Sequence, residues 1–228
     1  MISVFYYVFK VHTRALMKII HHFINCLLHL DHAISAVVAH WGPLTYGLLF
    51  LVIFCETGLV VTPFLPGDSL LFVLGALAAD GSLQLLTLIL VLSAAAVSGN
   101  MVNYGIGRLL ADRVINHQQI PFVKQAYIQR THEFFEKYGA KTIIITRFVP
   151  IIRTFAPFLA GVGSMPHGKF TTYNAAGGVL WVLVGTLSGY FFGNLPFVRK
   201  NFSFVILAIV VISLIPAAIE FLKHKKHQ

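Results

Sequence analysis

Three stretches of this chain contain no charged side chain: residues 81–107, 170–198 and 201–219. About 20 apolar residues in a helix are enough to cross the hydrocarbon core of a bilayer, and each stretch is close to that length or longer. A soluble protein that buried such segments would need polar surface elsewhere to cover them. Here 57% of the 228 residues are hydrophobic and 11% are charged, which leaves too little polar material for an ordinary wetted exterior. The chain therefore reads as an all-α integral membrane protein with at least three crossings.

The net charge of +9 does not point to nucleic acid, because Lys and Arg collect at the amino end, in the middle and in the terminal KHKKH. Such clustering sets membrane orientation. Residues 108–141 carry Arg108, Arg113, Lys124, Arg130, Lys137 and Lys141 against Asp112, Glu133 and Glu136, so this loop is expected on the cytoplasmic side together with the tail from Lys223. Asp80, alone in a short polar stretch, fits the opposite side. Within the loop a helix is expected near Tyr127 to Tyr138, with Glu133 and Lys137 at pairing distance along it. The segment MISVFYYVF before Lys10 has no basic leader ahead of its apolar residues and does not read as a signal peptide.

In residues 17–39, Ile19, Ile20, Phe23, Ile24, Leu27 and Leu28 recur at helical spacing opposite His21, His22, Asn25, His29 and His32. This pattern fits an amphipathic helix at the membrane surface, with a tilted crossing as the alternative. The turn His29-Leu30-Asp31-His32 reads as its solvated face rather than as a metal cluster. Cys26 and Cys55 have neither disulfide nor zinc spacing. No metal and no cofactor are expected.

An internal repeat organises the rest. Phe64-Leu65-Pro66 is echoed by Phe148-Val149-Pro150, and the series Gly99, Tyr104, Gly107 is echoed by Gly185, Tyr190, Gly193. In each copy a broken apolar segment precedes an uninterrupted one. Pro63, Pro66 and Gly67 are the expected breakers of the first, and Pro150 and Pro157 of the second. Lipid cannot satisfy the backbone groups freed at such breaks, so each segment is expected to be a re-entrant helical hairpin buried in protein or lining a wet cavity. With one true crossing per unit, the two copies must run in opposite senses. The expected fold is an inverted repeat of two hairpins, each followed by a transmembrane helix, with the hairpin tips facing each other. The division expected along the chain is a tail and interfacial helix at 1–40, a first membrane repeat at 41–107 and a basic cytoplasmic stretch of loop and helix at 108–141. A second repeat follows at 142–198, then a terminal transmembrane helix and basic tail at 199–228. The small residues Ala94 to Ala96, Ser98 and Gly99, and Ala175 to Gly178, read as packing faces.

Each broken segment carries charges that nothing nearby compensates. Glu56 and Asp68 lie in the first with no base between Trp41 and Ala79, and Arg147 and Arg153 lie in the second with no acid between Thr142 and Lys169. A charge at the membrane centre costs about 2.5 to 3.5 kcal/mol on insertion scales, so the four must meet each other or water. A buried ion-pair cluster with no further role is one reading. In the functional reading Arg147 and Arg153 form a fork for phosphate, a task suited to the planar guanidinium, and Glu56 and Asp68 are proton carriers. Asn100, Asn103, Tyr104 and Tyr190 are secondary candidates that reach the cleft or pack between helices.

The stretches ETGLVVTPFLPGDSLLFVLGALA, NYGIGR, RFVPIIRTFAPFLAGVGSM and GYFFG resemble the DedA membrane protein family, over about Met17 to Lys225. The resemblance implies two opposed re-entrant hairpins in the bacterial inner membrane and transport of undecaprenyl phosphate or a related phospholipid between leaflets, dependent on the proton gradient. It also implies that the family's essential acids correspond to Glu56 and Asp68 and its essential arginines to Arg147 and Arg153. Two departures stand out. Many relatives have an acid where this chain has Asn100, so a third protonatable site is not expected here. The first sixteen residues stand outside the resemblance, which leaves Met1 and Met17 both open as starts.

The leading expectation is a proton-linked lipid-phosphate translocase whose partners are a membrane lipid and protons. Self-association stays open. A cation/proton antiporter using the acids, and a scramblase that needs no gradient, are the alternatives within transport. An enzyme acting on lipid phosphate is the alternative of another class, and it is disfavoured because all eleven histidines fall outside the expected membrane interior and no Gly-rich phosphate loop is present.

Overall fold

The computed structural model describes residues 30–59, 67–115, 139, 141–163, 165–202 and 204–209. Pro63, Pro66, the helix expected near residues 127–138, the first part of the amphipathic helix and most of the third uncharged stretch lie outside the described residues. Those described are helical, with no strand among them: α1 Leu30–Trp41, α2 Leu44–Gly58, α3 Gly67–Ala79, α4 Leu85–Ile115, α5 Thr142–Thr146, α6 Pro150–Val162, α7 His167–Phe192 and α8 Pro196–Lys200.

Among the described residues two helices are long and apolar enough to cross a membrane, Leu85–Ala111 within α4 and all of α7. Their apolar windows are only 39% and 33% buried, so most of this surface faces outward. Leu86, Leu90, Leu109, Val184, Phe191 and Phe192 are all exposed. The core helix of a soluble protein would bury such side chains, and an outward apolar surface of this extent calls for lipid. Helix α4 runs on past Gly107 through Arg108 to Ile115, so the first part of the basic stretch is helical.

The breaks fall where the chain changes conformation. Helix α2 ends at Gly58 and Leu59 is extended; α3 starts at Gly67. On the other side α5 ends at Thr146, Val149 is extended, and Pro150 opens α6, where its missing amide costs nothing and its fixed φ suits the first turn. Pro157, expected to be a breaker, is not one. Helix α6 continues through it, and the price of a proline there is one intrahelical donor.

The short helices are exchanged between the halves. Helix α3 packs mainly on α7 and α6 mainly on α4, while α2 packs on α4 and α5 on α7. At the first two crossings backbone meets backbone. Gly75 of α3 lies against the Thr186 carbonyl of α7, and Gly161 of α6 against the Tyr104 carbonyl of α4; Gly189 meets the Phe72 carbonyl and Gly107 that of Phe158. Only small residues allow this approach. The two crossings correspond when Tyr104 is set against Thr186 and Gly107 against Gly189. That is one helical turn away from the register suggested by the sequence motifs, in which Tyr104 matches Tyr190 and Gly107 matches Gly193.

Candidate functional site

Both breaks place charge at a helix start. Asp68 is the second residue of α3, and Arg153 lies in the first turn of α6, its amide donating to the Val149 carbonyl at 2.9 Å. Glu56, in the last turn of α2, reaches across so that its carboxylate lies against Gly67 at the start of α3. Negative charge is stabilised there by the unpaired amides of the first turn.

Arg153 joins the two halves. Its Nη1 donates to Asp68 Oδ1 at 3.1 Å and its Nη2 donates to Glu56 Oε1. Glu56 is 1% exposed and Arg153 8%, whereas the Asp68 side chain is 29% exposed. A fourth residue, which the sequence reading did not single out, completes the cluster. Trp181 of α7 donates its Nε1–H to Asp68 Oδ1 at 2.7 Å, and its ring centroid lies 5.0 Å from the Arg153 guanidinium carbon. Asp68 and Trp181 also line a cavity of about 240 Å³ whose remaining walls are Phe72, Phe148, Val184, Gly185, Ser188 and Ile209.

Arg147 lies apart from the acids. It is 3% exposed, and its Nη2 donates to the Ala96 carbonyl at 3.2 Å and to the Asn174 side-chain oxygen. With its amide oriented to suit its neighbours, Asn100 accepts from the same Nη2 at 2.8 Å and donates to the Thr57 carbonyl at 3.2 Å. No carboxylate pairs with Arg147 among the described residues, and its Nε has no partner there. The run Ala175 to Gly178, read from sequence as a packing face, has this guanidinium against it: a Cβ on Gly178 would lie 3.2 Å from Arg147 Nη2. The expected meeting of two acids with two arginines is therefore divided into a charged trio around Arg153 and a cation among carboxamides at Arg147. Guanidiniums repel one another, and carboxamides with backbone carbonyls solvate the second one where no acid reaches.

The secondary candidates separate by contact. Asn103, fully buried, donates to the Thr57 carbonyl at 3.2 Å and the Thr154 carbonyl at 2.9 Å. It ties the end of α2 to α6 and satisfies one of the carbonyls that a helix end leaves unpaired. Tyr104 stacks on Phe170 with centroids 4.3 Å apart and donates to the Met165 carbonyl at 2.6 Å, so it packs. Tyr190 likewise packs against the apolar core. Among the described residues no group of His, Cys, Asp and Glu could hold a metal ion.

Gly67 has no room for a side chain, because a Cβ there would collide with both Glu56 carboxylate oxygens. Gly67→Ala is expected to push Glu56 away from Arg153 at a cost of about 3 kcal/mol, the scale of a broken buried pair. Thermal unfolding in detergent checks this, and Glu56→Gln in the same background should recover part of the loss.

A helical bundle that turns apolar surface outward on its longest helices and pairs its charges inside is a membrane protein. A VTT domain matches residues 65–191, more than half of the chain. The chain is 47% identical over 212 residues to Protein DedA of Escherichia coli strain K12, covering 92% of this chain and 97% of that protein. It is 43% identical over 173 residues to an uncharacterized membrane protein of Mycobacterium tuberculosis, covering 75% of this chain and 76% of that one. It is also 37% identical over 155 residues to the inner membrane protein YqjA of Escherichia coli strain K12, covering 68% and 70%. No solved structure matches. The chain belongs to the DedA family of membrane proteins.

Proposed function

We propose that this protein is a proton-linked translocase of the bacterial inner membrane that carries a lipid phosphate, undecaprenyl phosphate or a related phospholipid, between leaflets. The observation that carries this reading is one guanidinium shared by two carboxylates at the edge of an apolar cavity. With both acids ionised the trio has a net charge of −1, which one proton on the coupled pair removes. Protonation then weakens the hold of Asp68 on Arg153 and frees the guanidinium for a phosphate oxygen. Loss of the proton restores the internal pair and expels the anion. Arg147, buried with no carboxylate beside it among the described residues, supplies a second positive charge on the path.

Helix lengths support the re-entrant reading. Helices α2, α3 and α6 have 15, 13 and 13 residues, short of the roughly 20 of a crossing. Paired as opposed hairpins they form an inverted repeat, and alternating access follows from rocking one repeat against the other. The reciprocal packing of α3 on α7 and α6 on α4 supports that symmetry. The name of the inner membrane relative supports the location, and the positive-inside rule puts the basic middle loop and the C-terminus in the cytoplasm.

The test is leaflet exchange of labelled undecaprenyl phosphate in proteoliposomes with an imposed pH gradient. Exchange should accelerate with the gradient, and the affinity for the phosphate should fall as pH rises, because the deprotonated acids reclaim Arg153. Gradient-independent exchange would make the protein a scramblase, and release of inorganic phosphate would make it an enzyme. One observation favours the antiporter as second reading: among the described residues Asp68 is the sole charged one lining the cavity, which suits a cation. Saturable Na+ or K+ flux without lipid movement would establish it.

A further inference from the structure

We infer that the cavity beside Asp68 is the seat of the hydrocarbon segment next to the phosphate of an isoprenoid or acyl phosphate, with Trp181 as the residue that senses its arrival. This rests on the lipid-phosphate reading above and adds where the chain of the lipid lies. One end of the cavity is the charge cluster, since Asp68 and Trp181 line it and both touch Arg153. The other walls are Phe72, Phe148, Val184, Gly185, Ser188 and Ile209, apolar apart from the Ser188 hydroxyl, which donates to the Val184 carbonyl of its own helix, so polarity changes from charged to mostly apolar as it does along an amphiphile. Its volume of about 240 Å³ is below the roughly 300–1,000 Å³ of pockets that enclose drug-sized ligands. A short segment of chain fits, and the remainder stays in the bilayer. Val184 is 49% exposed on the outward face of α7, which gives that remainder a way out. An alkyl chain in the cavity presses on the indole, and the indole holds both Asp68 through its N–H and Arg153 through its face. Chain occupancy thereby reaches the ion pair that the phosphate must open.

The two tryptophans are Trp41 and Trp181, so Trp41→Phe leaves Trp181 as sole reporter. Ser188→Phe narrows the cavity while leaving Glu56, Asp68, Arg153 and Trp181 unsubstituted. In detergent-solubilised protein, farnesyl phosphate is expected to change Trp181 emission saturably, farnesol weakly and inorganic phosphate not at all, and Ser188→Phe should weaken farnesyl phosphate by about tenfold or more. Equal binding by the Ser188→Phe protein, or an equal response to inorganic phosphate, overturns the inference. Transport that survives Ser188→Phe but not Arg153→Ala also overturns it and leaves the translocase reading standing. Chain-dependent binding without any leaflet exchange upholds the cavity and removes the translocase.

Discussion

Alanine at Arg153 is expected to abolish lipid-phosphate exchange and to destabilise the protein by about 3–5 kcal/mol, the range for removing one partner of a buried ion pair. The guanidinium bridges the acids of the first half to the start of α6. Without it Glu56, 1% exposed, is left buried without the cation that pairs with it. Thermal unfolding and proteoliposome exchange check the two effects separately. The double change Arg153→Ala with Glu56→Gln removes the orphaned acid and should recover stability without recovering exchange. Arg153→Lys should fold but exchange poorly, since an ammonium is a point charge and does not span Glu56 and Asp68 as a planar fork does. Full exchange by the folded double variant would remove Arg153 from the mechanism.

The second large effect is expected at the crossing of α6 on α4. A Cβ on Gly161 would run into the Tyr104 carbonyl and the Arg108 amide, and backbone cannot step aside as a side chain does. Gly161→Val should separate the helices and lower stability by about 3 kcal/mol or more, as overpacked interiors do at their upper range. Gly105→Ala is the matched control on the outward side of α4, where nothing lies within 4 Å. It should be neutral or slightly stabilising, because alanine favours helix over glycine. Comparable losses for the two would mean that α6 does not seat on α4 as described.

The charges were conspicuous in the sequence because an acid or arginine in an uncharged surrounding has few explanations. Their division was not. Charge balance gives a sum and no distances, so nothing in the letters separates Arg147, among Asn100 and Asn174, from Arg153, between Glu56 and Asp68. Trp181 and Asn174 went unnoticed because one aromatic and one carboxamide are ordinary in an apolar span, and α7 is apolar all round, which hides the face that meets α3. The breaks were legible from Pro150 and Gly67. Pro157 lies inside α6, which continues through it, so a proline in the sequence marks a lost donor and does not by itself fix where a helix ends. The one-turn shift between the crossings was hidden for a related reason. Glycine motifs mark where backbones come close, and the register is chosen by what they close upon.

The exchange of α3 and α6 between the halves has a consequence for how the protein is made. Helix α3 has Asp68 in its first turn, and the groups that hold it, Arg153 and Trp181, are synthesised long after it. A chain emerging from the ribosome at about 5–20 residues per second therefore holds a first half in which Asp68 lacks its Arg153 and Trp181 contacts for several seconds. Neither half is a unit that matures alone. The start of α3 reaches its final contacts only when α6 and α7 arrive, and the last third of the chain acts as the template on which the first third completes its fold.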